Sequence, residues 1–194
     1  MNMKIYKIDC SARKRGSVSR YLSKLLLNKI KTDDDKVTYR DLDDEMLFLA
    51  GLSESGMSIP EQEQTDDHKK MFRLSDKLVK ELEECDTMII SAPIYNFGPP
   101  ATLKAWVDLT ARAKSNFKYL ENGERVGMLK DKKVFLIITS GGTIINGNED
   151  YLTPWLITTL NMFGIKNIQI ISAGRLAFDK ENSIKETEEK IMKL

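Results

Sequence analysis

The sequence predicts a three-layer α/β fold, a five-stranded parallel sheet of order 2-1-3-4-5 with helices on both faces. Three observations predict it. Apolar runs alternate with stretches of helical periodicity from one end to the other, in a βαβα pattern. The inner runs, Met88-Ile89-Ile90 and Val134-Phe135-Leu136-Ile137-Ile138, are continuous rather than alternating, as strands covered on both faces are. The 194 residues contain no repeat, low-complexity segment or linker, which fits one domain over 1–194 with a large core.

The predicted strands run from Met3 to Asp9, Lys36 to Asp41, Thr87 to Ala92, Lys133 to Thr139 and Asn167 to Ser172. Between the first two, Val18, Tyr21, Leu22, Leu25 and Leu26 make a helical stripe with Ser17 as its cap. Met71, Leu74, Leu78 and Leu82 mark a second helix, opened by Pro60, and Leu103, Trp106, Val107 and Ala111 a third, introduced by Pro99-Pro100. A fourth is read from Pro154, capped by Thr153 and stopped by Gly164. The last, from about Lys180, has only Ile184 and Ile191 as a stripe, so weak packing and fraying are expected. In the 2-1-3-4-5 order the chain reverses direction between the first and third strands. Ligands of such sheets bind beyond the strands' carboxyl ends at that reversal, which directs attention to the segments after Asp9, Ala92 and Thr139.

Composition narrows the function. With 41% hydrophobic and 30% charged residues, and no apolar stretch approaching the roughly 20 residues that span a bilayer, no membrane association is expected. The opening MNMKIYKIDCSARKRG has no apolar signal region, so the reading is a cytoplasmic protein beginning at Met1. A formal charge of +1, from 30 basic and 29 acidic residues, gives no global attraction to nucleic acid. Cys10, Cys85 and the sole histidine, His68, supply neither a disulfide framework nor a ready zinc site, so no metal is expected. His68 lies in the charged run Thr65-Asp66-Asp67-His68-Lys69-Lys70, a solvated helix face, which counts against a histidine-dependent hydrolase.

Each of the three loops has an unusual composition. Ser11-Ala12-Arg13-Lys14-Arg15-Gly16-Ser17-Val18-Ser19 joins a strand to a helix with small, basic and hydroxyl residues. Its backbone N–H groups and the hydroxyls of Ser11, Ser17 and Ser19 can hold a phosphate, or form a capped turn with exposed charges. Neither a Walker motif nor the Rossmann glycine fingerprint is present, which disfavours nucleoside triphosphates and tightly held dinucleotides. Pro93-Ile94-Tyr95-Asn96-Phe97-Gly98-Pro99 combines a fixed irregular backbone with rings that can flank a flat ligand and an amide that can meet its heteroatoms. Taken alone it also reads as a plain strand-to-helix turn with Tyr95 and Phe97 in the core. In Ser140-Gly141-Gly142-Thr143 the paired glycines permit close approach of a ligand, or a tight turn.

The segment Ala92-Pro93-Ile94-Tyr95-Asn96-Phe97 resembles the FMN-dependent NADH-azoreductases, also called flavodoxin-like quinone reductases. Similar patterns occur in the Ser11 to Ser19 loop, in Thr102-Leu103-Lys104 with Asp108-Leu109 and Ala111-Arg112-Ala113, and in Phe117-Lys118-Tyr119 with Glu121-Asn122-Gly123. Thr139-Ser140 with its glycines, Thr153-Pro154 and Phe163-Gly164-Ile165 complete the set, so the resemblance spans most of the chain. It implies a flavodoxin-like sandwich in which Ser11, Ser17, Val18 and Ser19 contact the phosphate arm of FMN. Pro93 opens the loop whose Ile94, Tyr95, Asn96 and Phe97 line the isoalloxazine, and Ser140, Gly141, Gly142 and Thr143 lie at its other polar edge. The family often carries an arginine after the serine of this third loop, where Gly141 stands here. Phe117 and Tyr119, joined by Phe163, would cover the substrate face across a homodimer interface, or serve as core packing or a stacked interface.

The resemblance further implies an oxidoreductase that takes a hydride from NADH or NADPH and passes two electrons to a quinone, azo or nitroaromatic acceptor by ping-pong exchange. The flavin N5 carries the chemistry and no protein residue is assigned a catalytic role. Two rival readings stand beside it. Low-molecular-weight tyrosine phosphatases also place a cysteine after the first strand, but their C-x5-R spacing is not met by Cys10 and Arg15, and no Asp-Pro pair occurs. A flavodoxin-type electron carrier is usually strongly acidic for steering, whereas this chain is near neutral.

Overall fold

The computed structural model describes residues 2–44 and 61–194. Strands β1 (Lys4–Asp9), β2 (Lys36–Asp41), β3 (Thr87–Pro93), β6 (Lys133–Thr139) and β7 (Ile168–Ala173) form one sheet in the order β2-β1-β3-β6-β7. All pairs are parallel. Numbered within the sheet this is 2-1-3-4-5, and every predicted strand is within a residue of its place. A hairpin of β4 (Phe117–Tyr119) and β5 (Arg125–Gly127) fills the excursion before β6; its three-residue strands are too short to leave a period in the sequence.

Alternation along β1 assigns the two faces. Tyr6 and Ile8 point into the larger core, with Leu74, Leu78 and Leu82 of α2 (Asp66–Glu84), Leu103 and Trp106 of α3 (Ala101–Thr110) and Leu156 and Leu160 of α4 (Leu152–Phe163). Ile5 points the other way, onto Leu22 and Leu26 of α1 (Val18–Ile30) and Ile191 of α5 (Lys180–Met192).

Ser17 caps α1 as expected, taking the Arg20 N–H at 3.4 Å. Pro60, expected to open α2, lies outside the described residues. That helix starts from a capping box in which Thr65 takes the His68 N–H and His68 Nδ1 takes the Thr65 N–H, so His68 has a local structural role. The expected Thr153 cap of α4 is corrected. The helix begins at Leu152, and buried Asp150 takes both the Thr153 N–H, at 2.9 Å, and its hydroxyl, at 2.6 Å. Gly164, at φ 99°, ends it as expected. The thin apolar stripe expected of α5 is supplemented by polar docking. Buried Thr187 donates to the Ser172 carbonyl at 2.9 Å, Ser183 to the Gly174 carbonyl at 2.9 Å, and Tyr21 of α1 to Glu188 at 2.6 Å. A search for an apolar stripe does not register such contacts. No helix among the described residues is long and apolar enough to cross a membrane.

The hairpin is fixed by a close backbone approach. A Cβ on Gly127 would lie 2.2 Å from the Gly164 nitrogen, and Leu129 donates to the Phe163 carbonyl at 3.0 Å. Gly127→Ala should therefore lift the hairpin from the end of α4 and lower stability by about 2 kcal/mol or more, read as a lower urea midpoint.

Candidate functional site

β1, β3 and β6 end together, and the loops leaving them surround a crevice of about 440 Å³. Ser11, Arg13, Ser17, Val18 and Ser19 of the first loop line it. Ser11 joins two walls: its hydroxyl takes the Arg13 N–H at 3.2 Å and lies 3.3 Å from the Tyr95 hydroxyl of the second loop. The Ser17 and Ser19 hydroxyls are 3.2 Å apart at the start of α1, where the first N–H groups of the helix lack intrahelical acceptors.

Under this loop lies a buried charge cluster. Arg20 donates to the Ser11 carbonyl through Nη2 at 2.6 Å and Nε at 3.2 Å, and grips both Asp41 oxygens at 2.6 and 2.7 Å. Asp9, at the carboxyl end of β1, accepts from Lys7, Ser23, Tyr39 and Ser91 at 2.5 to 3.0 Å. Lys14 is tied to Asp41 and Asp44 at 2.9 and 2.6 Å. Burial pushes the Asp41 carboxyl upward, but hydrogen bonds from Arg20 and Lys14 outweigh it and hold the group well below the usual carboxylate range. Tyr39 is pushed up to about 12 by burial and by the neighbouring Asp9 charge. Burial also lowers Lys7, against the pull of Asp9, and raises the Cys10 thiol. Buried Cys10 is a strand-end thiol without the low-pKa character of a nucleophile.

In the second loop, Pro93, Ile94 and Tyr95 line the crevice, while Asn96 and Phe97 form the exposed tip beside it. Tyr95 and Gly98 exchange both backbone hydrogen bonds at 3.0 Å around the two tip residues, which have φ of 48° and 71°. Two consecutive left-handed residues make a tight reverse turn usually built with glycine, and a phenylalanine held there stores strain. Anchors at both ends hold the turn: Ile94 donates to Thr139 at 2.7 Å and Tyr151 to the Phe97 carbonyl at 2.9 Å.

From the third loop, Thr139, Ser140 and Gly141 line the crevice, and Gly142 and Thr143 lie just outside its lining. Ser140 donates to the Thr143 carbonyl, closing the loop on itself. A Cβ on Gly141 would meet nothing within 4 Å, so packing within the protein leaves its side of the crevice open. Among the described residues, the N–H groups of Asn96, Gly141 and Gly142 meet no protein acceptor.

A family model described as the flavodoxin-like fold matches residues 3–194. The chain belongs to this family. Within this flavodoxin-like family, an FMN-dependent NADH:quinone oxidoreductase of Pelagibacter ubique (strain HTCC1062) is 64% identical over 189 residues, covering 97% of this chain and 98% of that protein. The FMN-dependent NADH:quinone oxidoreductase 1 of Jannaschia sp. (strain CCS1) is 36% identical over 187 residues, 96% of each. Among solved structures, an FMN-dependent NADH-azoreductase from Bacillus anthracis str. Ames Ancestor in complex with FMN superposes with a TM-score of 0.80 at 25% identity, covering 100% of this chain and 99% of that one.

A fourth wall of this flavodoxin-like crevice was missed in the sequence. Leu176, Ala177 and Lys180, from the connection between β7 and α5, line it. Leu176 and Ala177 donate to the Ser140 and Gly141 carbonyls at 3.0 and 2.9 Å, so this connection is laid against the third loop. No family pattern was recognised there, and only the order of the sheet brings β7 beside β6.

The expected substrate-lining trio divides. Phe163 is fully buried and Phe117 nearly so, both in the larger core, and neither lines the crevice; the end of α4 and the base of the hairpin need them as packing. Tyr119 is 62% exposed, edge-on to Phe117.

The charge cluster fixes the acid response. Asp41 contributes stability that is present above about pH 4, the unfolded carboxylate value, and is lost as pH falls toward its lowered folded value. Urea midpoints should fall below about pH 4 by less in Asp41→Asn than in the parent. At pH 7 Arg20→Met should cost about 3 kcal/mol, since Asp41 loses its bidentate partner and keeps only Lys14 while the Ser11 carbonyl loses its donor, and Arg20→Lys less.

Proposed function

We propose that the chain is an FMN-dependent NADH:quinone oxidoreductase, with the FMN phosphate against Ser11, Ser17 and Ser19 and the isoalloxazine against the Tyr95 to Gly98 turn. One observation carries this reading. A single crevice has a hydroxyl-rich wall at a helix N-terminus and, bonded to it through Ser11 and Tyr95, a strained aromatic turn. Its volume falls within the roughly 300 to 1,000 Å³ of small-molecule sites. The open space at Gly141 and the uncommitted N–H groups of Asn96, Gly141 and Gly142 suit the polar edge of a flat ring.

When bound, FMN supplies two-electron hydride chemistry at N5. The protein groups bind, orient and polarise. Serine hydroxyls and the first turn of α1 hold the phosphate, and the rigid turn fixes the ring plane. The N–H groups of Asn96, Gly141 and Gly142 would stabilise negative charge at the ring edge. Nothing in the crevice need donate a proton in the first half-reaction. NADH and the acceptor, a quinone, an azo compound or a nitroaromatic, would enter the crevice in turn, which predicts ping-pong kinetics.

The enzyme works as a cytoplasmic homodimer. Tyr119, Leu120 and Met128, exposed on and beside the hairpin, form the apolar surface suited to a second copy, and Tyr119 is the one member of the predicted trio free to reach a partner's crevice.

The purified chain should be yellow, release a flavin on heating, bleach with NADH and recover its colour with a quinone. A colourless protein that fails to bind added FMN would overturn the reading, and intersecting double-reciprocal lines would exclude entry in turn. Sedimentation should show a dimer that Tyr119→Arg weakens without loss of colour.

A further inference from the structure

The first loop has three consecutive cations, Arg13, Lys14 and Arg15, and the structure gives them different positions. Lys14 is committed to Asp41, Asp43 and Asp44. Arg15 does not line the crevice. Arg13 does, and its side chain has no ion-pair partner among the described residues. Lys180 lines the same crevice, also without an ion-pair partner there. It is the first residue of α5, and Val18, which also lines the crevice, is the first of α1. Two helices of 13 residues each therefore start on this crevice, with the positive ends of their dipoles at its wall. The nearby Asp179 accepts from Asn182 at 3.3 Å, makes no cap to α5 and does not line the crevice. Among the described residues the lining contains no acidic side chain. In a chain with 30 basic and 29 acidic residues this is a local bias.

Serine hydroxyls and one helix terminus suffice to hydrogen-bond an anion. Two unpaired cations and a second helix terminus add charge, which matters in proportion to the charge of the ligand. A phosphate monoester carries about −1.5 to −2 at pH 7, whereas riboflavin has no phosphate. We propose that Arg13 and Lys180 form a two-sided clamp on the phosphate monoester and so set the preference of this crevice for FMN over riboflavin. The clamp rests on the FMN reading above and goes beyond it. It assigns the discrimination between FMN and riboflavin to two residues outside the serine cradle, one of them on an element about 170 residues away in sequence. Each cation contributes a charge-assisted contact that only the phosphorylated ligand can make.

The test is equilibrium dialysis of the full chain against FMN and, separately, riboflavin. Arg13→Gln and Lys180→Gln should each weaken FMN about tenfold and leave riboflavin within about twofold. Arg15→Gln should change neither, and Arg13→Lys and Lys180→Arg should restore most of the FMN affinity. Added salt should weaken FMN binding more in the parent than in the double variant. A parent that binds FMN, with variants that keep its FMN-to-riboflavin ratio, overturns the clamp, as do variants that lose both flavins equally. A parent that binds neither flavin overturns the FMN reading itself.

Discussion

The arrangement of this site depends on the burial of one carboxylate, Asp9, at the carboxyl end of the central strand β1. It is 3% exposed and accepts four hydrogen bonds, from Lys7 on its own strand, Tyr39 on β2, Ser91 on β3 and Ser23 on α1. A buried carboxylate is tolerated only when fully satisfied, and satisfying this one ties β1, its neighbours on both sides and the helix above them into one geometry. Arg20 extends the tie to Asp41 and to the Ser11 carbonyl. The loop that follows β1 is therefore not a free connection. It is drawn down at Ser11, and its hydroxyls are presented upward by groups that take no part in binding.

The second loop reaches rigidity by a different route. None of the ion pairs among the described residues involves the Tyr95 to Gly98 turn. Instead, reciprocal backbone bonds close it, and anchors to Thr139 and Tyr151 hold two non-glycine residues in the left-handed region. Strain of this kind persists only where surroundings over-determine it. A turn so constrained cannot tilt to follow a ligand, which suits a reaction in which two reactants must stack on one fixed plane in turn.

Much of this was legible in the sequence, and the reasons differ by element. The five strands were readable because parallel strands buried on both faces are apolar without interruption, and the crevice followed from their order. Serine at the start of α1 and the Tyr95-Asn96-Phe97 segment could be read because turns and caps demand particular residue types. Buried Lys7 and Asp9 were not, since a charged residue in a strand reads as solvent-facing until its partners are known, and those partners lie on three other elements. Lys180 was missed for a related reason: it is an ordinary lysine at a helix start, given meaning only by the pairing of β7 with β6. Phe117 and Phe163 show the opposite limit. A resemblance names positions, but burial decides whether a ring at such a position can reach a ligand, and here both rings are used as core.

The two groups of cations near the first loop therefore do different work. Within the inner cluster, Lys7 and Arg20 balance Asp9 and Asp41, so the cluster is close to neutral and its field at the crevice is small. Its contribution is shape. The outward cations, Arg13 and Lys180, have no such balance, and the rigid loop beneath Arg13 gives it a fixed origin from which to act. Separating the charges that hold the loop from those that meet the ligand lets ligand affinity change with Arg13 and Lys180 while the serine cradle stays in place. Merging the two roles in Arg20 would have made every change in affinity a change in the fold.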